Sequence, residues 1–293
     1  MKISEVLKED RVKFSIEVFP PKVNSDYQKV EAAVERLCTL QPDFMSVTYG
    51  AGGSTAQNTV KIASHVQNDL GVNALCHLTC VCADEASVTA QLDEMQRSGL
   101  ENILALRGDR PAEPVGDPFA HFQHASELMT FIKKQTGSRF CIGGACYPEC
   151  HPESATRKED IDCLLYKQEA GAQFLTTQLF YDNNVFYNFL YRARTAGITL
   201  PILAGIMPVV NGKQIKRITK LSDATLPVRF KAIIDRFGDD PAAMEQAGIA
   251  YAAEQIIDLI ANGVDAIHLY SMNRPDIAER IYACLSNILK REK

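Results

Sequence analysis

The chain has 293 residues, 46% hydrophobic and 23% charged, the balance of a globular protein that can bury a core without metal or disulfide staples. A net charge of -5 with no basic stripe argues against a nucleic-acid surface. The apolar runs fall well short of the roughly 20 residues that cross a bilayer, which argues against a membrane protein.

The first residues, Met1 to Phe19, carry charges where a signal peptide would be apolar, so a cytoplasmic protein is expected. Phe14–Phe19 is a first short apolar run, and Tyr27–Leu40 is a helix with Val30, Val34, Leu37 and Cys38 on one stripe. Phe44–Val47 follows, then a helix over Thr55–Leu70, opened by Ser54 or Thr55 as cap and closed by Gly71. Asn73–Leu78 precedes a helix over Ser87–Ser98, and Ile103–Leu106 precedes Cys141–Ala145. A helix over Lys158–Ala170 leads to Phe174–Gln178, and one over Asn184–Ala196 leads to Pro201–Ile206. The last connection, Asn211 to Asp265, is the longest. It holds two helices, broken by Pro227 and the Gly238-Asp239-Asp240-Pro241 turn, before Ala266–Tyr270.

The apolar runs number eight, and their β-branched and aromatic content suits strands buried on both faces. Helices followed by Gly99, Gly171 and Gly197 and then a strand are βα units, since glycine allows a left-handed helix exit. Eight such units predict an α/β fold, a closed (β/α)8 TIM barrel, with residues 1–293 as one catalytic domain.

Nine cysteines, an odd number in a large chain expected not to be secreted, argue against a disulfide framework. Cys76, Cys80 and Cys82 form C-x3-C-x-C, and Cys146 and Cys150 stand four apart; neither spacing is a paired zinc motif. His121 and His124, three apart, are expected on an exposed helix, and no metal site is predicted.

A barrel of this kind does its chemistry at the C-terminal strand ends. There stand Glu17, then Thr48-Tyr49-Gly50-Ala51-Gly52-Gly53, then His77 and Thr79, then Arg107-Gly108-Asp109. Beyond them come Tyr147, His151, Gln178, Gly205 to Pro208, and Tyr270 to Arg274. Strand alternation puts Ser15, Glu17 and Phe19 on one face, toward the lumen. In an apolar lumen, desolvation would favour a protonated Glu17, as a general acid needs; a structural ion pair is the plainer alternative. Arg107-Gly108-Asp109 suits either a polar cofactor or a locally paired turn. The Gly50 to Ser54 stretch could offer amides to an anion, but it has no Walker lysine and is not G-x-G-x-x-G. His77 and His151 are each open to the roles of base, ligand or hydrogen-bonded histidine.

Taken in order, these strand ends resemble the methylenetetrahydrofolate reductase family. The motifs that carry the resemblance are Phe14-Ser15-Ile16-Glu17-Val18-Phe19-Pro20-Pro21, Ser46 to Gly53, Leu106-Arg107-Gly108-Asp109, Tyr147-Pro148-Glu149-Cys150-His151-Pro152, Thr177-Gln178-Leu179-Phe180, Gly205 to Val209, and His268 to Arg274. The resemblance implies FAD as cofactor, NADH or NADPH as electron donor, and methylenetetrahydrofolate as substrate in a ping-pong relay. It makes Glu17 the acid that protonates the folate amine. Asp109, beside flavin and folate, would stabilise the resulting cation. It gives FAD contacts to Thr48, Tyr49, Ala51, His77, Arg107, Gly108, Asp109, Ala145, Tyr147, His151, Asp160 and Lys167, and substrate contacts to Gln178, Gln214 and Arg274. The sequence departs from the family at Ile218, where some members carry a stacking Phe, and at Cys163, where an Asn can contact flavin. Only the catalytic barrel is matched, so regulation by S-adenosylmethionine is not expected, while a homo-oligomer is. An iron–sulfur partner subunit is the electron source in some relatives. The rival readings on the same fold, a Schiff-base aldolase or a pterin-binding methyltransferase, need a strand-end lysine or a cobalamin partner. No predicted strand ends in lysine.

Overall fold

The computed structural model describes residues 1–21, 26–49, 56–111, 116–215, 218–219 and 224–289, with only the backbone of Ala56, Gln57 and Gln214. Eight parallel strands close on themselves in sequence order, each hydrogen-bonded to the next and the last to the first. They are β1 Lys13–Val18, β2 Phe44–Val47, β3 Asn73–Thr79, β4 Asn102–Leu106, β5 Cys141–Cys146, β6 Phe174–Thr177, β7 Ile202–Ile206 and β8 Ala266–Tyr270. The predicted (β/α)8 barrel is therefore what forms.

Helices run outside it: α2 Tyr27–Cys38, α3 Ala56–Ser64, α4 Glu85–Arg97, α5 Ala125–Thr136, α6 Arg157–Glu169, α7 Asn183–Thr195, α8 Val228–Phe237, α9 Pro241–Ala261 and α10 Pro275–Leu285, after a short α1, Ile3–Val6. Their starts follow local chemistry. The Asp84 carboxylate accepts from the Ser87 amide and opens α4, Thr156 accepts from the Glu159 amide for α6, and Asp240 with Pro241 behind it opens α9.

Two expectations change in detail. The helix expected over Thr55–Leu70 ends as α3 at Ser64 and continues as a π-helical turn, His65–Asp69, where the Leu70 amide reaches the His65 carbonyl. Its expected caps, Ser54 and Thr55, lie outside the described residues, as do Gly50 to Gly53. His121 and His124 are not on a helix: they lie in the segment before α5, His124 as its N-cap residue.

The register sorts the strand residues into two shells. Ile16, Val18, Met45, Val47, Cys76 and Leu78 face outward, buried against the helices. Phe44, Leu75, Leu104, Cys141, Phe174, Leu203 and Ala266 fill the lower lumen together with Ile3 and Leu7 of the N-terminal segment. That segment closes the floor: the Ile3 amide donates to Asn102 Oδ1 at 2.8 Å, and Asn102 Nδ2 donates to the Met1 carbonyl at 3.2 Å. The floor is tight at Gly143 on β5, where a Cβ would stand 2.3 Å from the Phe174 ring. Five cysteines (Cys38, Cys76, Cys80, Cys141 and Cys146) are buried free thiols, and burial pushes Cys38, Cys76 and Cys80 up to about 12, which makes them inert packing. Among the described residues, no helix is long and apolar enough to cross a membrane and no group of side chains could hold a metal ion.

Candidate active site

Above the apolar floor the lumen turns polar. Glu17, 7% exposed, pairs in register with Ser46 of β2 and Tyr270 of β8. Its Oε2 lies 3.5 Å from His77 Nε2 on β3, 3.8 Å from His268 Nε2 on β8 and 3.5 Å from Ser46 Oγ. The lumen around Glu17 is thus lined by imidazoles and a hydroxyl, rather than apolar as expected. No lysine or arginine pairs with it among the described ion pairs, so the plainer structural reading has no support here. Burial pushes the His77 imidazole down to about 4; Glu17 opposes that shift and His268 adds to it. His77 is therefore neutral near pH 7, and its Nε2 is buried without a hydrogen-bond partner.

The mouth of β1 is fixed by the turn after β8. Ser271 Oγ donates to the Glu17 carbonyl at 2.6 Å, and the Asn273 amide brackets Phe19, donating to its carbonyl at 2.9 Å and accepting from its N–H at 2.8 Å. Phe19 thereby leaves the strand ladder, which is why β1 ends at Val18. The turn needs left-handed backbone at both Met272 and Asn273, at φ 53° each, a conformation uncommon for methionine.

A second group gathers at the ends of β4 and β5. Arg107 donates two hydrogen bonds to Glu153, at 2.5 and 2.7 Å, and lies 4.8 Å above the Phe119 ring. Gly108 sits at φ +82°, and a Cβ there would meet Val81 at 2.7 Å. This turn puts Asp109 out in solvent, its charge acting on Arg107, Tyr147 and His151. The Tyr147 and His151 rings meet edge to face at 4.6 Å. Burial pushes the Tyr147 phenol up to about 12, with Asp109 adding to it. Burial, then Arg107, lowers His151. From α6, Lys167 Nζ donates to the Ala145 carbonyl at 2.6 Å, with its proton affinity lowered by burial, and Asp160 is buried beside it, raised by desolvation. Asp160 accepts from the His151 amide and the Ser154 side chain.

The other predicted residues are spread around this rim. The Thr48 amide adds one rung to the β1–β2 ladder through Val18, and burial raises the Tyr49 phenol, which bonds Gln91. Gln178 Oε1 accepts from the Leu179 amide at 2.9 Å. Gln214 lies in a short 3-10 turn, Gly212–Gln214. Arg274 is held away from the centre, donating to Asp276 at 2.6 and 3.0 Å and to Glu245 at 3.2 Å. Ala51 lies outside the described residues. Cys163, half-buried on α6, feels Lys167 and Asp160, and Ile218 packs against the cluster of Tyr181, Phe230 and Met244.

Ser46, His268, Ser271 and Asn273 stood in the motifs read from the sequence, but no individual role was assigned to them. The signal was present in the strand alternation, which puts His268 and Tyr270 on one face of β8 opposite Ser15 and Glu17.

Comparison with known proteins adds a family pattern. A family model described as methylenetetrahydrofolate reductase matches residues 2–286. The chain is 34% identical over 285 residues to methylenetetrahydrofolate reductase (NADH) 1 of Arabidopsis thaliana, covering 93% of this chain and 48% of that protein. It is 32% identical over 271 residues to the 5,10-methylenetetrahydrofolate reductase of Escherichia coli (strain K12), covering 92% and 90%. The chain thus spans about half the length of the plant and yeast relatives it matches, and about nine-tenths of the bacterial ones. A solved structure of an uncharacterized Clostridium thermocellum protein that binds two copies of 5-methyl-5,6,7,8-tetrahydrofolic acid superposes with a TM-score of 0.63 at 13% identity. That match covers 98% of this chain and 99% of that one, a likeness of fold.

Proposed function

The chain belongs to the methylenetetrahydrofolate reductase family, and from that premise we propose that it reduces 5,10-methylenetetrahydrofolate to 5-methyltetrahydrofolate, with FAD as hydride carrier and NADH or NADPH as donor. The observation that carries this reading is Glu17: a buried carboxylate at the catalytic end of the barrel, met by two histidines and a serine and, among the described residues, by no lysine or arginine. That is a group kept available for proton transfer.

The residues beside it fit a flavin. His77 Nε2, Thr79 Oγ1 and Arg107 Nε are buried and lack partners at adjoining strand ends, and buried polar atoms of this kind are ordinarily satisfied. With Lys167 they would meet the polar edge and phosphates of FAD, with Tyr147 and His151 giving ring surface. Bound FAD supplies hydride transfer, and the chain supplies placement and charge. In this reading Glu17 protonates the folate amine so that the bridging carbon opens as a cation, and Asp109 stabilises that cation. Gln178 contacts the site that nicotinamide and pterin share. Arg274 takes the folate glutamate tail by exchanging it for Asp276 or Glu245.

The test is spectroscopic and kinetic. The purified protein is expected to be yellow, to carry FAD without stoichiometric metal, and to have its flavin bleached by NADH or NADPH in a stopped-flow instrument without any partner. Colourless protein that takes up no FAD would overturn the reading. Flavin that passes electrons to folate but accepts none from either nucleotide would assign the donor's place to an iron–sulfur subunit.

A further inference from the structure

Directly beneath Glu17 the lumen carries a polar layer made of Ser15, Ser46 and His268. Ser15 and Ser46 have no exposure and His268 has 1%. The His268 ring stacks 5.9 Å from Phe44 at the top of the apolar floor. Its Nδ1 is 2.7 Å from Ser15 Oγ and its Nε2 3.2 Å from Ser46 Oγ. Ser15 Oγ also donates to the Ile267 carbonyl at 3.1 Å, and Ser46 Oγ faces Glu17 Oε2 at 3.5 Å.

We propose that Ser15, His268 and Ser46 form a positioning unit for Glu17: a hydrogen-bonded chain whose direction favours the proton-bearing form of that carboxyl group. The inference rests on the reading of Glu17 as general acid. Counting donors gives the direction. A carbonyl only accepts, so Ser15 gives its single proton to Ile267 and receives one from His268 Nδ1–H. With the ring proton on Nδ1, Nε2 is bare and accepts from Ser46. Ser46 has spent its proton, and its oxygen is left as an acceptor for protonated Glu17. All four contacts are satisfied.

When Glu17 is ionised the chain must reverse. Ser46 then donates to the carboxylate, His268 donates from Nε2, and Ser15 donates to Nδ1, which strips Ile267 of its bond from Ser15. Within this chain the protonated state keeps one hydrogen bond more, its longest link being the 3.5 Å contact between Ser46 and Glu17. The titratable groups facing Glu17 are His77 from β3 and His268 and Tyr270 from β8. His77 is held neutral by burial, and the Tyr270 hydroxyl gives its proton to the Thr177 carbonyl at 2.6 Å. Neither changes charge near neutral pH, and the serine–histidine chain is the element facing Glu17 whose direction must reverse when the carboxyl group changes state.

Two serine variants and two readouts test this. Long-range 1H–15N correlation spectra of the histidine rings report the tautomer directly, without turnover. His268 is expected as Nδ1–H in the wild type and in Ser46→Ala, but as a mixture or Nε2–H in Ser15→Ala. The second readout is the pH profile of folate reduction by pre-reduced enzyme, which falls on its alkaline side as the acid loses its proton. That limb is expected to move ~0.5–1 pH unit lower in both variants, the worth of about one hydrogen bond. An Nε2–H ring in the wild type, or Ser15→Ala and Ser46→Ala profiles that overlie the wild type, would overturn the proposal. Wild-type protein that reduces no folate at any pH would instead refute the general-acid reading, leaving the tautomer measurement to stand on its own.

Discussion

At the scale of single residues, the two carboxylates of the site make separable predictions. Glu17→Gln keeps shape and hydrogen bonding but cannot deliver an acid proton. Rapid-mixing experiments should show near-normal flavin reduction by NAD(P)H, with folate reduction down by ~10²–10⁴-fold. An equal fall in both half-reactions would make Glu17 a structural residue. Asp109, exposed on the turn after β4, should act by charge. Asp109→Asn should make the flavin easier to reduce and cut folate turnover by about 10²-fold, since cation stabilisation is lost. An unchanged flavin potential would leave Asp109 a turn residue. His77 predicts a pH dependence of stability. Its folded value of about 4 lies below the ordinary ~6.5, so between those limits the unfolded chain binds the extra proton. Stability present above pH 6.5 is lost as pH falls toward 4, with a slope of up to about 1.4 kcal/mol per unit. Denaturant melts of wild type and His77→Gln should converge over that window, and parallel curves would show that His77 is not held neutral. Glu17 and its facing direction were legible in the sequence because strand alternation is strict. Its surroundings were not: Ser46 and His268 come from other strands, and only the inter-strand register brings them within 4 Å.

The elements themselves were legible where periodicity was clean. β2 and β8 begin and end where the apolar runs do, and the other strands differ by a residue at one or both ends. The differences have local causes, such as the Asn273 amide taking Phe19 off the ladder. Between β4 and β5 a helix was expected at His121 and His124 without bounds; α5 begins only at Ala125, where His124 as N-cap makes no side-chain hydrogen bond. The π-helical turn, five residues long, also left no mark on the apolar spacing of the sequence. Within β5 the pair Gly143-Gly144 weakens the strand signal, yet Gly143 is required by the ring of Phe174, its register partner on the adjacent β6. Gly143→Ala should cost about 1–3 kcal/mol of stability by overpacking. A melting temperature equal to wild type would mean that Phe174 has room to turn aside.

At the scale of the whole molecule, the barrel divides its labour between two ends. The floor, with Ile3 and Leu7 set among Phe44, Leu75, Leu104 and Phe174, is apolar and serves stability. The opposite end carries the chemistry. Ile3→Ala should therefore cost about 2–5 kcal/mol in a denaturant melt while turnover per folded molecule stays unchanged. A matching loss of turnover would show that the two ends are coupled. The closing of β1 against β8 has a further consequence, in the order of synthesis. β1 is among the first segments to leave the ribosome and its second neighbour is the last strand made. Until residues 266–270 arrive, one edge of β1 has no partner, and an unpaired edge invites pairing with other chains. Glu17 likewise has no His268 until then. An unfinished chain would thus be exposed to aggregation and catalytically incomplete for the same reason, and a single strand ends both conditions at once.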